Sequence, residues 1–267
     1  MGYIEDYYNK FNEEKRLNSR HGRVEFTVTM KYIHECIDAL CHENGVTELK
    51  IADLGAGTGR YSIPLAGEGH RVTAVELVQH NLGRLRANAI KENVEIESYK
   101  GDATHLKKLA SECYDITLLF GPMYHLFSKE DKVKALKEAI RITKPKGYIL
   151  VAYVMNEYSV VTYAFKERNV LECAKQGRFT DDYHTISHEQ DIYDYVRIED
   201  IDELNREVGI EREKIISPDG PADYIRPFLN KLSEEEFERF IEYQMATCER
   251  KDLIGAGSHT VDILRRQ

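Results

Sequence analysis

Three glycines at alternate positions stand between an acid and an arginine in the stretch DLGAGTGR, residues 53–60. A short apolar run precedes the stretch and a helical pattern follows it, so the glycines occupy a strand-to-helix turn. Such a turn brings backbone N–H groups and a helix N-terminus close to a ligand, which is typical of nucleotide and anion sites. The spacing therefore predicts that a nucleotide-like molecule binds against the main chain.

Two common nucleotide sites are excluded by this spacing. A P-loop requires GxxxxGK[ST], and no lysine follows the glycines here. The dinucleotide fingerprint GxGxxG places its third glycine five positions after the first, whereas Gly55, Gly57 and Gly59 form GxGxG and Arg60 takes that position. Because a tight turn without a ligand would show the same glycines, the following elements decide the interpretation.

Acids recur where the next apolar runs end. Glu76 ends the second predicted strand about 20 residues after Gly55, where an acid can accept hydrogen bonds from both hydroxyls of a ribose. Asp102 follows a third strand in KGDA, and the apolar stretch YDITLLFG closes a fourth strand at Gly121-Pro122. We expect these groups at the carboxyl ends of parallel strands, where open α/β sheets bind ligands.

Strands alternate with helices over residues 49–155, which predicts a mostly parallel sheet with helices on both faces. Residues 1–44 look helical and precede this core. Residues 156–197 are rich in tyrosine and charge, and we expect a largely helical insertion there. Residues 198–267 add helices and the last two strands. We therefore expect one α/β domain in which residues 1–30 and 156–197 cover the ligand.

The composition narrows the class of partner and compartment. The 267 residues carry a formal net charge of -9, which disfavours a nucleic-acid partner. The first residues lack the basic flank and apolar stretch of a signal peptide, and no apolar run approaches the ~20 residues of a membrane span. Five scattered cysteines without a CxxC pair indicate reduced thiols. These features predict a cytoplasmic protein and leave its oligomeric state open.

Four stretches of this chain, IADLGAGTGRYSIPLA, VTAVEL, KGDA and YDITLLFGPMYHL, resemble in order the successive motifs of class I S-adenosylmethionine-dependent methyltransferases. The resemblance covers residues 49–155 closely and the last two predicted strands more loosely. It implies a Rossmann-like seven-stranded sheet, S-adenosyl-L-methionine as cofactor and S-adenosyl-L-homocysteine as product. It does not identify the methyl acceptor, for which we expect a small molecule.

The resemblance also implies a role for each matching residue. The turn would wrap the methionine part of the cofactor, Glu76 would bind its ribose, and residues 120–121 would lie under the reacting methyl. Tyr124 and His125 would face the substrate. The residues expected to contact the cofactor are Asp53, Gly55, Ala56, Gly57, Thr58, Gly59, Glu76, Leu77, Asp102, Ala103, Phe120 and Gly121.

Methyl transfer needs a base only if the acceptor carries a proton at neutral pH. His125 is the preferred base because histidine titrates in the useful range, and His21 is the second candidate. Arg20, in the segment expected to close over the cofactor, would neutralise the cofactor's carboxylate.

Three alternatives stay open at this stage. The family members that methylate planar amino groups often carry (Asp/Asn)-Pro-Pro-(Tyr/Phe) after the fourth strand, whereas this chain has Gly121-Pro122-Met123-Tyr124, which disfavours such a substrate. An RNA or protein methyltransferase, or a cofactor-binding protein without turnover, would share the same motifs. His184 and His188 are spaced for one helical face, but the HExxH form is absent and we expect no metal.

Overall fold

The computed structural model describes residues 19–188 and 190–267. Within these residues one seven-stranded sheet has the strand order β3-β2-β1-β4-β5-β7-β6. Strands β1 to β5 pair in parallel, and β7 runs antiparallel to both β5 and β6. The expected mostly parallel sheet is confirmed. The strands are β1 Lys50–Leu54, β2 Arg71–Glu76, β3 Glu97–Lys100, β4 Tyr114–Leu119, β5 Thr143–Val154, β6 Glu211–Ile216 and β7 His259–Arg265.

Helices cover both faces of the sheet, as expected from the alternation. They are α1 Arg20–Asn44, α2 Ser62–Gly67, α3 Gln79–Lys91, α4 Pro122–His125, α5 Lys129–Ile142, α6 Asn156–Ser159, a π-helix Val160–Lys166, α7 Val170–Lys175, α8 Ile198–Val208, α9 Arg226–Leu229 and α10 Glu234–Thr247.

The central strands are apolar because both of their faces are buried. Helix α1 contributes Ile33 and Ile37 to one hydrophobic cluster, which also contains Ile116 of β4. Helices α5 and α8 contribute Leu136 and Ile201 to a cluster that includes Leu119. Packing on both faces fixes the strand ends at one edge, where the loops that follow β1 to β5 meet.

The ends of several helices follow from their capping residues. Ser19 caps α1 by accepting a hydrogen bond from the Gly22 amide. Ser233 and Glu236 form the expected capping box of α10, and Gly209 ends α8 in the left-handed conformation at φ +69°. Residues 1–18, which belong to the segment expected to cover the ligand, lie outside the described residues.

The expectation of a largely helical insertion is correct only for residues 156–175. Gly177, at φ +64°, ends α7, and no helix follows among the described residues before α8. Side-chain hydrogen bonds to the end of β5 replace helical ones, since the Asn156 amide group bonds the backbone at Tyr183 and Thr185. Residues 190–196 form a segment, here called the strap, that pairs with the end of β5 through Val196.

Candidate functional site

A cavity of about 950 Å³ opens at the carboxyl ends of the parallel strands. Its walls include residues 55–58 after β1, 76–78 after β2, 101–103 after β3 and 120–122 after β4. This volume is at the upper end of the range for small-molecule sites, so the cavity has room for more than one ligand. The acids expected at these strand ends therefore share one site.

The glycine turn requires its glycines for different reasons. A Cβ at Gly55, which has φ +83°, would lie 2.5 Å from Pro122 Cδ and 2.6 Å from the Phe120 carbonyl oxygen, so the turn after β1 can approach the turn after β4. Gly57 has φ +56°, and a Cβ added there would meet no heavy atom of the described residues within 4 Å, so this side of the turn faces open space. Gly59 does not line the cavity but lets α2 pack closely, since its Cβ would lie 2.8 Å from Ile63 Cδ1.

Glu76 links the glycine turn to the end of β2. Its two carboxylate oxygens accept hydrogen bonds from the amides of Gly57, at 2.8 Å, and Val78, at 2.7 Å. Each carboxylate oxygen has a second acceptor position, and Glu76 also lines the cavity. The side chain is thus held in the cavity wall by backbone groups.

Asp53 is a buried carboxylate at the end of β1. Its Oδ2 accepts a hydrogen bond of 2.5 Å from Ser62 Oγ, whereas its Oδ1 has no hydrogen-bond partner within the part of the chain that the structure describes. Burial, together with the neighbouring charge of Glu76, raises the pKa of Asp53 to about 6, against the hydrogen bond from Ser62. An unsatisfied buried oxygen in a cavity wall is costly, and a ligand cation would satisfy it.

Leu77, Asp102 and Ala103, which follow β2 and β3, also line the half of the cavity formed by the strand ends. Asp102 Oδ1 accepts hydrogen bonds of 2.8 Å from both the amide and the hydroxyl of Thr104, which fixes the carboxylate at the cavity edge. Asn81, in the first turn of α3, is buried and also lines the cavity. The sequence reasoning missed Asn81, whose position shortly after Glu76 was the available indication.

The other half of the cavity is lined by aromatic residues and histidines. His125 Nδ1 donates a hydrogen bond of 2.7 Å to the carbonyl oxygen of Ile192, because a carbonyl can only accept. The His125 ring stacks on Tyr193 with 5.4 Å between centroids. The Asp194 amide donates to the Tyr124 carbonyl oxygen at 2.7 Å. The strap therefore brings its tyrosines against the two residues expected to face the substrate.

A buried ion pair holds the strap in this place. The Lys132 ammonium group of α5 contacts the Asp194 carboxylate and also donates to the Leu126 carbonyl oxygen. The Lys132 side chain is 5 % exposed and that of Asp194 is 17 % exposed. Since burial of two charges is favourable only when they remain paired, this contact fixes the strap to α5.

A histidine that the sequence analysis did not select lies in the same wall. His259, the first residue of β7, lines the cavity with its ring 5.8 Å from that of Tyr124. Its Nδ1 lies 2.7 Å from Asp219 Oδ2, and its backbone amide donates to Asp219 Oδ1 at 3.1 Å. The two residues are 40 positions apart and come from different elements, so no local spacing indicates the pair.

Arg20 and His21 do not lie where the sequence analysis placed them. The Arg20 Nη1 donates to the carbonyl oxygens of Leu229 and Leu232, each at 2.6 Å, at the C-terminal end of α9. Neither Arg20 nor His21 lines the cavity, and His21 Nε2 lies behind the cavity wall, 3.6 Å from Asp223 Oδ1. In this structure Arg20 therefore lies away from the cavity, because α1 directs it at α9, and its predicted contact with the cofactor has no support here.

Other expectations concern metals and membranes. His184 Nδ1 donates a hydrogen bond of 3.0 Å to the Thr185 carbonyl oxygen, and its Nε2 lies 2.7 Å from Asp200 Oδ2. Across residues 19–188 and 190–267, no three histidine, cysteine or acidic side chains cluster as metal ligands would. Among these same residues, none of the helices combines the length and apolar character that crossing a bilayer requires.

The chain is similar to methyltransferases both in sequence and in fold. The family model described as "Methyltransferase domain" matches residues 51–147. The ubiquinone biosynthesis O-methyltransferase of Rickettsia canadensis is 28 % identical over 127 residues, which cover 48 % of this chain and 51 % of that protein. An S-adenosyl-L-methionine-dependent Diels-Alderase of Talaromyces variabilis is 33 % identical over 101 residues, 37 % of this chain and 34 % of that protein.

A solved structure from Thermotoga maritima, described as a SAM-dependent methyltransferase and possible histamine N-methyltransferase, is similar over the whole chain. It covers 100 % of this chain and 99 % of its own, with a TM-score of 0.56 and 20 % sequence identity. At this identity the likeness shows the fold. The chain spans about half the length or less of the two curated relatives described above.

Proposed function

We propose that this chain, whose residues 51–147 belong to the class I S-adenosylmethionine-dependent methyltransferase family, transfers a methyl group from S-adenosyl-L-methionine to a small-molecule acceptor. The observation that carries the proposal is one cavity in which the acids and glycines of the strand ends adjoin a half lined by Tyr124 and His125. A cofactor and an acceptor would meet there, at the turn that follows β4.

The first half of the cavity fits the cofactor. Glu76 would accept hydrogen bonds from the ribose hydroxyls, while Leu77, Asp102 and Ala103 would bind the adenine. The turn after β1 would hold the methionine part, with Asp53 close to its ammonium group. Arg60, and not Arg20, would be the partner of the cofactor's carboxylate, because Arg60 lines the cavity and follows the glycine turn directly.

The reaction asks little of the protein beyond positioning. When bound, the cofactor supplies a methyl group on a positively charged sulfur, which is already activated for displacement. Phe120 and Gly121 would border the path of transfer, while Tyr124 and His125 would orient the acceptor. The strap would exclude water from this half, and holding two reactants in line supplies a large part of the acceleration. If the acceptor loses a proton, a histidine of the cavity wall, His125 or His259, would accept it at Nε2.

The acceptor and the compartment are the finer parts of the proposal. The strap and the aromatic residues line the acceptor half, and we propose that this cavity takes a free metabolite rather than an RNA or a folded protein. The formal net charge of -9 points the same way for RNA. All five cysteines are unpaired, as expected in the reducing cytoplasm, where we propose that the protein acts.

The function is tested by incubating the protein with S-adenosyl-L-methionine labelled in its methyl group and a panel of hydroxyl, thiol and amine metabolites. The proposal expects acceptor-dependent formation of S-adenosyl-L-homocysteine with the label in a product of low molecular mass. Label transfer to RNA or protein, or cofactor binding without transfer across the panel, would support the other interpretations instead.

Asp53 should make cofactor binding depend on pH. Its pKa of about 6 means that the carboxylate is protonated below that pH and loses the charge that would pair with the cofactor's ammonium group. For one titrating group with this pKa, affinity for S-adenosyl-L-homocysteine should fall about tenfold from pH 7 to pH 5. The Asp53→Asn variant should bind weakly at both values. Calorimetry that gave equal wild-type affinities at pH 5 and pH 7 would contradict this role.

A further inference from the structure

The acceptor half of the cavity is rich in aromatic residues. Tyr124 of α4, Phe127 after α4, Tyr158 of α6 and the strap residues Tyr193 and Tyr195 line it. The rings form a chain of contacts, with 6.4 Å between the centroids of Tyr124 and Tyr193 and 6.1 Å between those of Tyr193 and Tyr195. Aromatic walls at such distances favour a planar ring that can stack or meet their edges.

Three carboxylates that line or adjoin this half, Asp191, Asp219 and Asp223, have cationic or histidine partners from the protein itself. Asp223 pairs with Arg226, and Asp191 pairs with Arg178 at 2.5 Å. Asp219 is 4 % exposed and bonds His259, as described above. Glu167 lies exposed at the rim, and Glu25 reaches the boundary with the cofactor half. A charged acceptor would have to compete with these existing pairs, whereas an uncharged acceptor would not.

The His259–Asp219 pair has the arrangement of a base held by a carboxylate. The hydrogen bond at 2.7 Å fixes the proton of the neutral ring on Nδ1, which leaves Nε2 as the nitrogen that can accept one. Asp219 is buried and would stabilise the imidazolium that forms. Burial raises the pKa of Asp219 despite the opposing effect of His259, and the charges of Glu25 and Asp223 raise it further.

We propose, resting on the function proposed above, that the acceptor is an uncharged planar aromatic compound bearing a hydroxyl group and that His259 removes the hydroxyl proton. The acceptor oxygen forms a bond to the methyl carbon as the sulfur–carbon bond breaks. The electron pair of that bond stays on sulfur, giving neutral S-adenosyl-L-homocysteine, and the hydroxyl proton passes to His259 Nε2. An aromatic hydroxyl suits this base, because its pKa near 10 is within reach of an imidazole in a stabilising environment.

Two histidines line the acceptor half, and their different hydrogen-bond partners indicate which of them is the base. His125 donates to the neutral carbonyl oxygen of Ile192, whereas His259 donates to a carboxylate. A carboxylate gains more interaction energy than a neutral carbonyl oxygen when the ring becomes positively charged. His259 is therefore the base in this proposal, and His125, which stacks on Tyr193, positions the acceptor ring.

The test uses 4-nitrophenol, an uncharged planar phenol whose anion absorbs visible light, and protein saturated with S-adenosyl-L-homocysteine. We expect 4-nitrophenol bound to the wild type to ionise at a pH at least one unit lower than the free compound does. At a given pH this raises the ratio of anion to neutral phenol at least tenfold. The His259→Gln and Asp219→Asn variants should bind it with no such shift. His125→Gln should weaken binding yet keep the shift, and His184→Gln, outside the cavity, should behave as the wild type.

An ionisation shift that persists in both His259→Gln and Asp219→Asn would overturn the role of the pair. Failure of the cofactor-saturated wild type to bind 4-nitrophenol, or tighter binding of the cation 4-methylbenzylamine, would overturn the acceptor class. Saturation with S-adenosyl-L-homocysteine is established first by calorimetry. A protein that does not bind it would contradict the proposed function, which is thereby distinguished from a failure of this inference. Near-UV circular dichroism of each variant confirms that the aromatic walls are intact.

Discussion

Changing Glu76 to alanine should weaken binding of S-adenosyl-L-homocysteine about 10- to 100-fold. Glu76 organises the glycine turn by accepting from the amides of Gly57 and Val78, and it is the expected acceptor for the ribose hydroxyls. Hydrogen bonds that involve a charged group contribute about 1.5–3 kcal/mol, and each 1.4 kcal/mol is about one decade in the dissociation constant. Isothermal titration calorimetry measures this change directly.

Glu97→Ala is the matched control for this variant. Glu97 begins β3, the strand next to β2, at the opposite end of the strands from the cavity, and is exposed. We expect its dissociation constant to stay within about threefold of the wild-type value, less than ~0.7 kcal/mol. If Glu76→Ala bound the ligand as tightly as Glu97→Ala, Glu76 would not contact the cofactor.

Changing Lys132 to methionine should lower the free energy of unfolding by about 3–5 kcal/mol, the typical cost of leaving one charge of a buried pair without its partner. Asp194 would be that charge, and the Leu126 carbonyl oxygen would lose its donor as well. Urea denaturation at pH 7 measures the loss. The strap would also lose its attachment to α5, so the acceptor half should open.

Lys134→Met is the matched control, because it removes the same charge from an exposed ion pair instead of a buried one. Lys134 lies on the same helix and pairs with Asp131, but its side chain is 61 % exposed. An exposed pair of this kind contributes about 0.3–0.5 kcal/mol, so this variant should be nearly as stable as the wild type. Equal stability of the two methionine variants would show that the Lys132–Asp194 contact does not hold the strap.

The half of the cavity formed by the strand ends was predictable because its determinants are local. The glycine spacing and the acids after β2 and β3 each lie within one strand and the following turn, and the parallel sheet brings such ends together. Strand alternation likewise predicted the sheet, including β7 at the end of the described chain. In this half the sequence missed Asn81, which carries no motif of its own.

The acceptor half depends on contacts between distant parts of the chain. Tyrosine and charge over residues 176–197 do not distinguish a helix from a segment whose hydrogen bonds go to Asn156 and Arg197. The direction of Arg20 depends on where α9 and α10 pack. His259 can be identified as a candidate base only when Asp219 is seen beside it. Side-chain bonds across such separations replace local propensity here, so a pattern in one segment cannot reveal them.

The central claim is that the cavity at the strand ends is built for S-adenosyl-L-methionine. The most direct test is calorimetric titration of the protein with S-adenosyl-L-homocysteine, NAD and ATP under identical conditions. The account predicts one S-adenosyl-L-homocysteine per chain and binding of NAD and ATP at least 100-fold weaker, a difference of about 2.7 kcal/mol. Binding of NAD or ATP as tight as that of S-adenosyl-L-homocysteine, or no binding of S-adenosyl-L-homocysteine at all, would contradict it.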